Sequence, residues 1–554
     1  MTATWDIIVT VDGTDISTQL VDTSPISVEA NRSAARIAEF TVVLSGVINP
    51  NDWVGKAVTI DYVAGATTRL FNGVISEPTL SIADKTLRCT CTDDLQRIAD
   101  GKSHAELMTL TGAYYSDLVL NDEAIGWERL QDMLTTVAKH VYLDTAGVLQ
   151  CISAQNAVSP DYTFTEADII DESLSVKLAQ RSNLINRVDL TFSARFERLL
   201  HRAENLFWSW PLNFCETWYY KIRILYKQLI VDAVKKSGWT LTAESYTPSW
   251  LTDIYHCPEY GPGADPIIYN NISPDELING FNIDAARRWQ QAVTVDFGIT
   301  ITAPDSIAAY GELAQGFKTS ASFEPATIDW GVEGTEFTTL PPGFAYDANG
   351  NQFYDDIDTA ALQNAIDCLI AIGIERINSS HRSNTVSFAV PLNPAINLPH
   401  TVKVDDSNVV AKGIVNRIRH TLELDTARAV TEVDLLLSSG QSGLDTVTPS
   451  WTTPTLPDNS DPSPPILSTQ VPTHIGRSFN SQTDDPVGTL WGVLLNRSFP
   501  EDIAGVTPDP VIVYEERVDL KFGPVDPTNT DNINVPQPVT IQVDVPDNLL
   551  TVTA

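Results

Sequence analysis

Two distant stretches of the sequence share one layout, and this repeat decides the fold. The first copy reads Lys56-Ala-Val-Thr-Ile-Asp61, Leu70-Phe-Asn-Gly-Val-Ile75 and Lys85-Thr-Leu-Arg-Cys-Thr-Cys-Thr92. The second reads His400-Thr-Val-Lys-Val-Asp405, Val410-Ala-Lys-Gly-Ile-Val415 and Arg428-Ala-Val-Thr-Glu-Val-Asp-Leu435. In both, an alternating strand precedes a strand with a central glycine, which allows a bend or bulge where a strand turns a barrel corner. The repeat predicts two copies of one small β-barrel, although unrelated β-hairpins also resemble one another.

Length and charge limit the classes of protein that the chain can belong to. It has 554 residues and 43% hydrophobic content, which predicts about three to five globular domains. Its 35 basic and 71 acidic residues give a net charge of −36. This charge excludes nucleic-acid binding through a broad basic face, and it disfavours binding to an anionic membrane surface. We expect no signal peptide and no membrane-spanning segment, because no basic start or long apolar run is present. Six scattered cysteines are too few for a disulfide framework.

The strand and helix patterns predict a β-rich, multidomain α+β fold. The predicted units are a first β-barrel over 1–105, an α/β insert over 106–172, a second barrel formed by 173–200 and 385–440, an α/β insertion over 201–384, a Pro-rich linker over 441–478 and a C-terminal β-module over 479–554. Sixteen of the 33 prolines follow residue 440, which is why a linker is expected there. Within the insertion, Ser273-Pro-Asp-Glu276 predicts the start of a helix that runs to Ala292, and Asp358 predicts the cap of another.

Motifs for catalysis or metal binding are scarce, so we predict no enzyme, no metal and no cofactor. The eight histidines are dispersed, and no H-E-x-x-H, C-x-x-C, G-x-S-x-G or phosphate-loop motif occurs. Cys89 and Cys91 share one face of a strand and are expected in a core, while His256-Cys257 stays a weak candidate for a metal ligand or nucleophile. The run Asp347–Asp358 superficially resembles a calcium loop, but its glycine is misplaced, and a hairpin turn at Asn349-Gly350 is favoured.

An aromatic run in the insertion is the one candidate binding surface in the sequence. It contains Trp208, Trp210, Trp218, Tyr219 and Tyr220. Aromatic side chains are enriched in protein interfaces, but the same run could form the core of the insertion or a platform that stacks on sugars. The sequence leaves these three interpretations open.

Several short motifs carry a resemblance to a known family. These are Gly73-Val-Ile-Ser-Glu-Pro78, Thr86 to Gln96, Asn183-Leu-Ile-Asn-Arg-Val188 and Lys412-Gly-Ile-Val-Asn-Arg-Ile418. In order and spacing they resemble the baseplate hub and tail-tip proteins of tailed bacteriophages, the group of the late-control protein D type and the spike base of type VI secretion. The resemblance covers about residues 1–440.

The resemblance implies a structural role in the virion. Chains of that family form a homotrimer in which two barrels per chain give six, so that a three-fold ring caps a six-fold tail tube. Implied partners are the tail tube or distal tail protein, a central spike or fibre and other tip proteins. DNA would pass without specific binding during genome ejection and host cell entry. The implied location is the virion tail tip, after assembly in the host bacterial cytoplasm.

Other interpretations of the same features stay open. The acidic residues could line a passage that repels DNA, or they could keep a large assembly soluble. The acidic, Pro-rich C-terminal portion is expected to attach neighbouring tip or fibre proteins. A tail-associated cell-wall or capsule hydrolase is one alternative function. A receptor-binding tail protein, whose aromatic run grips a host glycan, is the other.

Overall fold

The computed structural model describes residues 5–45, 49–209, 227–236, 239–248, 278–323, 344–463, 468–470 and 533–553. Its strands are β1 (Asp6–Val11), β2 (Thr14–Asp15), β3 (Ile26–Asn31), β4 (Ile37–Val43), β5 (Ala57–Ala64), β6 (Ala66–Ser81), β7 (Thr86–Thr92), β8 (Lys139–Leu143), β9 (Leu149–Ser153), β10 (Tyr162–Thr165), β11 (Ser175–Lys177), β12 (Arg187–Ser209), β13 (Thr240–Pro248), β14 (Ile278–Thr302), β15 (Ala314–Ser322), β16 (Ala345–Tyr346), β17 (Gln352–Asp356), β18 (Asn384–Pro391), β19 (Thr401–Asp405), β20 (Val409–Glu423), β21 (Arg428–Leu437), β22 (Ser468–Gln470), β23 (Ile533–Gln542) and β24 (Leu550–Val552). Its helices are α1 (Leu95–Asp100), α2 (His104–Thr111), α3 (Gly126–Leu134), α4 (Lys227–Lys236), α5 (Pro304–Tyr310) and α6 (Thr359–His381). The predicted β-rich α+β class is confirmed.

Six strands near the start of the chain form the first barrel, in the spatial order β3-β4-β7-β6-β5-β1. Alternate side chains on these strands are apolar and buried, as expected for a sheet rolled around one core. The segment between β2 and β3 closes the barrel. Ile16 N donates to Val9 O on β1, and Val21 N donates to Thr41 O on β4, each at 2.9 Å.

The second barrel has the same strand order as the first. Its spatial order is β11-β18-β21-β20-β19-β10, and these six strands follow one another along the chain in the same sequence as their counterparts. The closure is also repeated, because Ile170 N donates to Ala389 O on β18 at 2.8 Å. One difference is the direction of the outermost pair: β1 is antiparallel to β5, whereas β10 is parallel to β19.

The repeated glycines occupy equivalent positions in the two barrels. Gly73 lies opposite Val58, and Gly413 lies opposite Val402. Three residues beyond each glycine the ladder to the next strand has a bulge, after Ile75 in one barrel and after Val415 in the other. The predicted duplication of a small barrel is therefore confirmed at the level of single residues.

A second sheet, which we call the long-strand sheet, is built on β12 and β14. These two strands pair antiparallel over 23 residues, from Arg187↔Thr302 to Ser209↔Gly280. The predicted helix from Ser273 to Ala292 is therefore wrong from Ile278 onward, where the chain is strand. Phe281, Ile283 and Ala285 are buried with a period of two, and the long ladder outweighs the helix-start signal.

The long-strand sheet also corrects the predicted composition of the second barrel. That prediction grouped 173–200 with 385–440. The structure places Ser175–Lys177 in the barrel, paired with β18. From Arg187 onward the chain instead pairs with β14, so the barrel ends before β12 and the long-strand sheet is inserted between β11 and β18.

Helix α6 packs on the long-strand sheet and forms its core. Asp358 caps it as predicted, because its Oδ1 accepts hydrogen bonds from Ala360 N and Ala361 N at 3.0 Å. A Cβ at Gly373 would lie 2.6 Å from Ile301 Cδ1, so the helix approaches β14 closely there. The predicted turn at Asn349-Gly350 is also confirmed, with Gly350 N donating to Asp347 O between β16 and β17.

The described C-terminal residues, 533–553, join the two sheets. β23 lies parallel to β14, and β24 pairs with β20 of the second barrel. Residues 441–463 contain no helix or strand, but they are packed on the protein: Trp451 Nε1 donates to Asp367 Oδ1 on α6 at 2.7 Å. The predicted C-terminal β-module is β-structure where it is described, in β23 and β24, and the rest of its range up to residue 532 lies outside the described residues.

Candidate functional site: the junction between the two barrels

The two barrels are joined edge to edge in one continuous sheet. β20 of the second barrel extends past its bulge and pairs antiparallel with β3 of the first, from Arg417↔Asn31 to Leu422↔Ile26. Within the described ranges, the resulting sheet has 14 strands. The junction therefore consists of main-chain hydrogen bonds and cross-strand side-chain contacts, like the interior of either barrel.

An apolar side chain from the second barrel completes the core of the first. Leu422 lies at the end of β20, has 0% of its surface exposed and belongs to the first barrel's core cluster together with Ile26. Burying a leucine of this kind contributes about 2 kcal/mol. The first barrel thus depends on its neighbour for part of its core.

Charged side chains fix the register of the junction. The Arg417 guanidinium donates to Glu29 on β3 at 3.1 Å and to Asp434 on β21 at 3.4 Å. Its hydrogen bond lowers the pKa of Glu29, and the same contact raises the pKa of Arg417. A slip by one residue would separate this pair and turn every side chain to the other face of the sheet.

Arg32, just after β3, ties three segments together at the base of the junction. Its guanidinium donates to the carbonyls of Val415, Leu398 and Ser153, at 2.5, 2.9 and 3.2 Å. Burial, with the nearby Arg382, lowers the pKa of Arg32 to about 9. Because each carbonyl is buried or half-buried, removing the guanidinium would leave acceptors without their donor.

Buried histidines lie in and beside the junction. His420 is opposite Val28 in the β20–β3 ladder, and its Nδ1 is 2.9 Å from Thr431 Oγ1. Burial lowers the pKa of His420 to about 3. His140 contacts Ser33 at 3.1 Å, and burial and two neighbouring arginines lower its pKa to about 3 as well. Both rings are neutral at pH 7, and charging either would oppose folding.

The residues proposed from sequence as a binding surface fall largely outside the described part of the chain. Trp210, Trp218, Tyr219 and Tyr220 lie outside it, as does His256-Cys257. Trp208 is described only as a backbone position of β12, opposite Phe281. The three interpretations of the aromatic run therefore stay predictions.

The two cysteines predicted to lie in a core are described by the structure. Cys89 and Cys91 are buried in the first barrel's core as predicted, and burial raises the pKa of Cys89 to about 12. Within the described ranges no cluster of three or more His, Cys, Asp or Glu could hold a metal ion. Among the described helices, none is long and apolar enough to cross a membrane.

One serine–histidine pair resembles catalytic chemistry but is enclosed. Ser306 Oγ lies 2.7 Å from His381 Nε2, and His381 Nδ1 is 2.8 Å from the Ile377 carbonyl oxygen. Both side chains are buried, and burial lowers the pKa of His381. Ser306 is 2% exposed and His381 0%, so their hydrogen bond joins α5 to α6 inside the protein.

The junction was not recognised as a site from the sequence. Aligning the repeat copies beyond their glycines would have found it, because Leu422 corresponds to Ile82 and Arg417 to Glu77. Two apolar side chains at the same point of two hairpins, each five residues after a charged one, indicate a contact that both copies need.

Comparison with known proteins finds similarity in structure only. No protein-family model and no curated protein matches the chain. The tail protein from Neisseria meningitidis is 11% identical, with 78% of this chain and 96% of that chain covered and a TM-score of 0.37. The 43 kDa tail protein of prophage MuSo2 from Shewanella oneidensis is 10% identical, with 78% and 96% covered and a TM-score of 0.35.

A third solved structure comes from a secretion system. The E. coli c3393 protein, described as a component of the type VI secretion system with structural similarity to T4 bacteriophage tail proteins, is 7% identical, with 81% of each chain covered and a TM-score of 0.28. These structures are of the class that the sequence resembles. The similarity concerns the fold.

Proposed function

We propose that the chain is a structural hub protein of a bacteriophage tail, and that three copies form a ring closing the end of the tail tube. The observation that carries this proposal is the duplicated barrel, joined edge to edge in one sheet. Two like barrels side by side in each chain make six in a trimer. A three-fold object can then present six similar surfaces to a six-fold tube.

The remaining parts of the chain take supporting roles in this proposal. The ring would hold the tail tube or distal tail protein on one side, and a central spike or fibre with other tip proteins on the other. It would sit at the virion tail tip after assembly in the host cytoplasm. The acidic C-terminal residues that join both sheets would help to anchor these neighbours.

The net charge of −36 fits a passage for DNA. A wall that carries acidic groups repels phosphate and lets the polymer slide, in contrast to the positive grooves that retain nucleic acid. During genome ejection and host cell entry such a ring would guide DNA without specific contacts. No chemical step is assigned to the protein.

The oligomeric state tests the proposal. Purified full-length chain is measured by mass photometry and imaged by negative-stain electron microscopy. The proposal predicts a particle of about 182 kDa, three times the 60.7 kDa chain, with a three-fold ring and a central opening. A chain that stays monomeric up to high concentration, or that forms a closed dimer, would contradict it.

A further inference from the structure

Each barrel has one strand edge that is unpaired among the described residues, while the equivalent edge of the other barrel is paired. Beyond its bulge, β20 pairs with β21 on one side and with β3 on the other. The equivalent part of β6, Glu77–Ser81, has only β7 as a strand partner among the described residues. Likewise β3 pairs with two strands, whereas its counterpart β11 pairs only with β18 in the described part of the chain.

We propose that these two edges bind each other between copies of the chain: the end of β6, Thr79–Ile82, pairs antiparallel with Leu174–Lys177 of the next copy. The register follows from the junction inside one chain. Thr421 lies opposite Ser27, and their counterparts are Ser81 and Ser175. This pairing deepens the ring proposed above, on which it rests, by naming the strands that join its subunits.

Exposure of one side chain supports the pairing. Ile82 corresponds to Leu422, which is 0% exposed because it enters the core of the neighbouring barrel. Ile82 itself is 84% exposed in the single chain. In the proposed contact it enters the second barrel of the next copy beside Leu174, as Leu422 enters the first barrel beside Ile26.

Charge complementarity supports the same register. Arg417 binds Glu29 across the junction within one chain. The counterparts of these two residues are Glu77 and Lys177, so the signs are exchanged and the attraction is kept. Both side chains are exposed in the single chain, where neither has an ion-pair partner among the described residues. In the proposed contact Glu77 of one copy pairs with Lys177 of the next.

The contact is head to tail, because it joins the first barrel of one copy to the second barrel of another. Such heterologous contacts close into a ring when the rotation between copies divides a full turn. The junction inside the chain and the junction between chains would then be alike. Every barrel in the ring would pair with two neighbours, and no barrel edge of this kind would stay open.

Disulfide trapping in the full-length chain tests the register. Ser81→Cys combined with Ser175→Cys should give a covalent bond between chains under mild oxidation, seen on non-reducing gels and located by mass spectrometry. The matched control is Ser81→Cys with Ala179→Cys, which places the second thiol two residues beyond β11, about 13 Å further along an extended chain, and should not crosslink. Ser27→Cys with Thr421→Cys should crosslink within one chain.

Side-chain variants test the energetics by mass photometry over a dilution series. Ile82→Asp should weaken association about tenfold to a hundredfold, since it removes a buried apolar side chain. Its melting temperature as a single chain should not change, because Ile82 is exposed there. Glu77→Lys and Lys177→Glu should each weaken association about two- to fivefold, and the double exchange should restore it.

The outcomes separate this inference from the proposed function. A trimer with no Ser81–Ser175 crosslink and no effect of Ile82→Asp would overturn the pairing and leave the ring in place. The expected crosslink in dimers or open chains would support the pairing and contradict the trimer. A monomer with no crosslink would overturn both.

Discussion

Replacing the equivalent glycines of the two barrels by alanine should destabilise both barrels by similar amounts. A Cβ at Gly73 would lie 2.4 Å from the carbonyl oxygen of Thr92, and one at Gly413 would lie 2.6 Å from that of Leu436. Both oxygens belong to backbone inside a sheet, so they cannot rotate away as the end of a flexible side chain could. The ladder itself has to move.

Two opposing effects determine how far each glycine-to-alanine substitution lowers the free energy of unfolding. Forcing an extra methyl group into a packed region costs about 1–3 kcal/mol. Alanine also lowers the entropy of the unfolded chain, which offsets about 0.5–1 kcal/mol of that cost. We expect a net loss of about 1–2 kcal/mol for Gly73→Ala and for Gly413→Ala. Gly298→Ala on β14 is the control, because no atom lies within 4 Å of its new Cβ; it should be neutral or stabilising.

Native-state hydrogen exchange read by mass spectrometry separates the two barrels. Gly73→Ala should lower protection mainly in peptides from β5 to β7, and Gly413→Ala mainly in those from β19 to β21. If both variants unfold with the same free energy as Gly298→Ala, the close approach of strands at the glycines is incorrect. The bend that the repeat predicts would then have another origin.

Three further predictions concern the junction and the helix. Leu422→Ala should lower the free energy of unfolding of the first barrel by about 2–4 kcal/mol, because a core contact is lost. Ile82→Ala should leave the free energy of unfolding of the single chain unchanged. Equal effects of the two variants in urea titrations would contradict the buried position of Leu422. Because the pKa of His420 falls from its ordinary value to about 3 on folding, the stability contributed by its neutral ring is present above pH 6.5 and is lost as the pH drops towards 3, by about 2 kcal/mol between pH 7 and 5. His140 contributes a similar loss, so His420→Asn should make the slope of stability against pH shallower without removing it, and an unchanged slope would show that the His420 ring is not buried. Gly373→Ala should lower the melting temperature, because its Cβ would meet Ile301 on the sheet, and Gly373→Ala paired with Ile301→Val should recover part of the loss.

Repetition was the part of the fold that the sequence could reveal. The positions of both barrels could be predicted from the glycines at 73 and 413 and from the alternating strands around them. Strand periodicity and a close approach of two strands each restrict which residue types can occur at a position. Helix α6 was similarly visible, because Asp358 is a strong N-cap and an apolar face follows it. Each of these signals is local.

The long-strand sheet was missed because its stability is not local. Residues 286–292 contain helix-forming alanine, arginine and glutamine, and a proline-based helix start precedes them. The 23-residue ladder with β12 overrides these preferences, and no short window of sequence contains that partner. The same holds for β23 and β24, which are separated from β14 and β20 by more than a hundred residues.

The junction itself depended on comparing two copies of a motif and not on any single residue type. Arg417 and Leu422 look ordinary in isolation. Only their contact with Glu29 and Ile26, nearly 400 residues away in the chain, gives them a role. Contacts of this kind depend on the register between two distant strands, and a single sequence does not show that register.

During synthesis on the ribosome, the edge of β3 stays unpaired until β20, its partner strand, has been made. All six strands of the first barrel have been made once residue 92 is reached, but the strand that covers β3 follows about 330 residues later. At about 5–20 residues per second, the nascent chain carries an open, hydrogen-bonding edge for roughly 15 to 65 s. Glu29 on that edge then lacks its ion-pair partner Arg417. An unpaired charge on a strand edge disfavours edge-to-edge association with nascent chains made from the same messenger RNA.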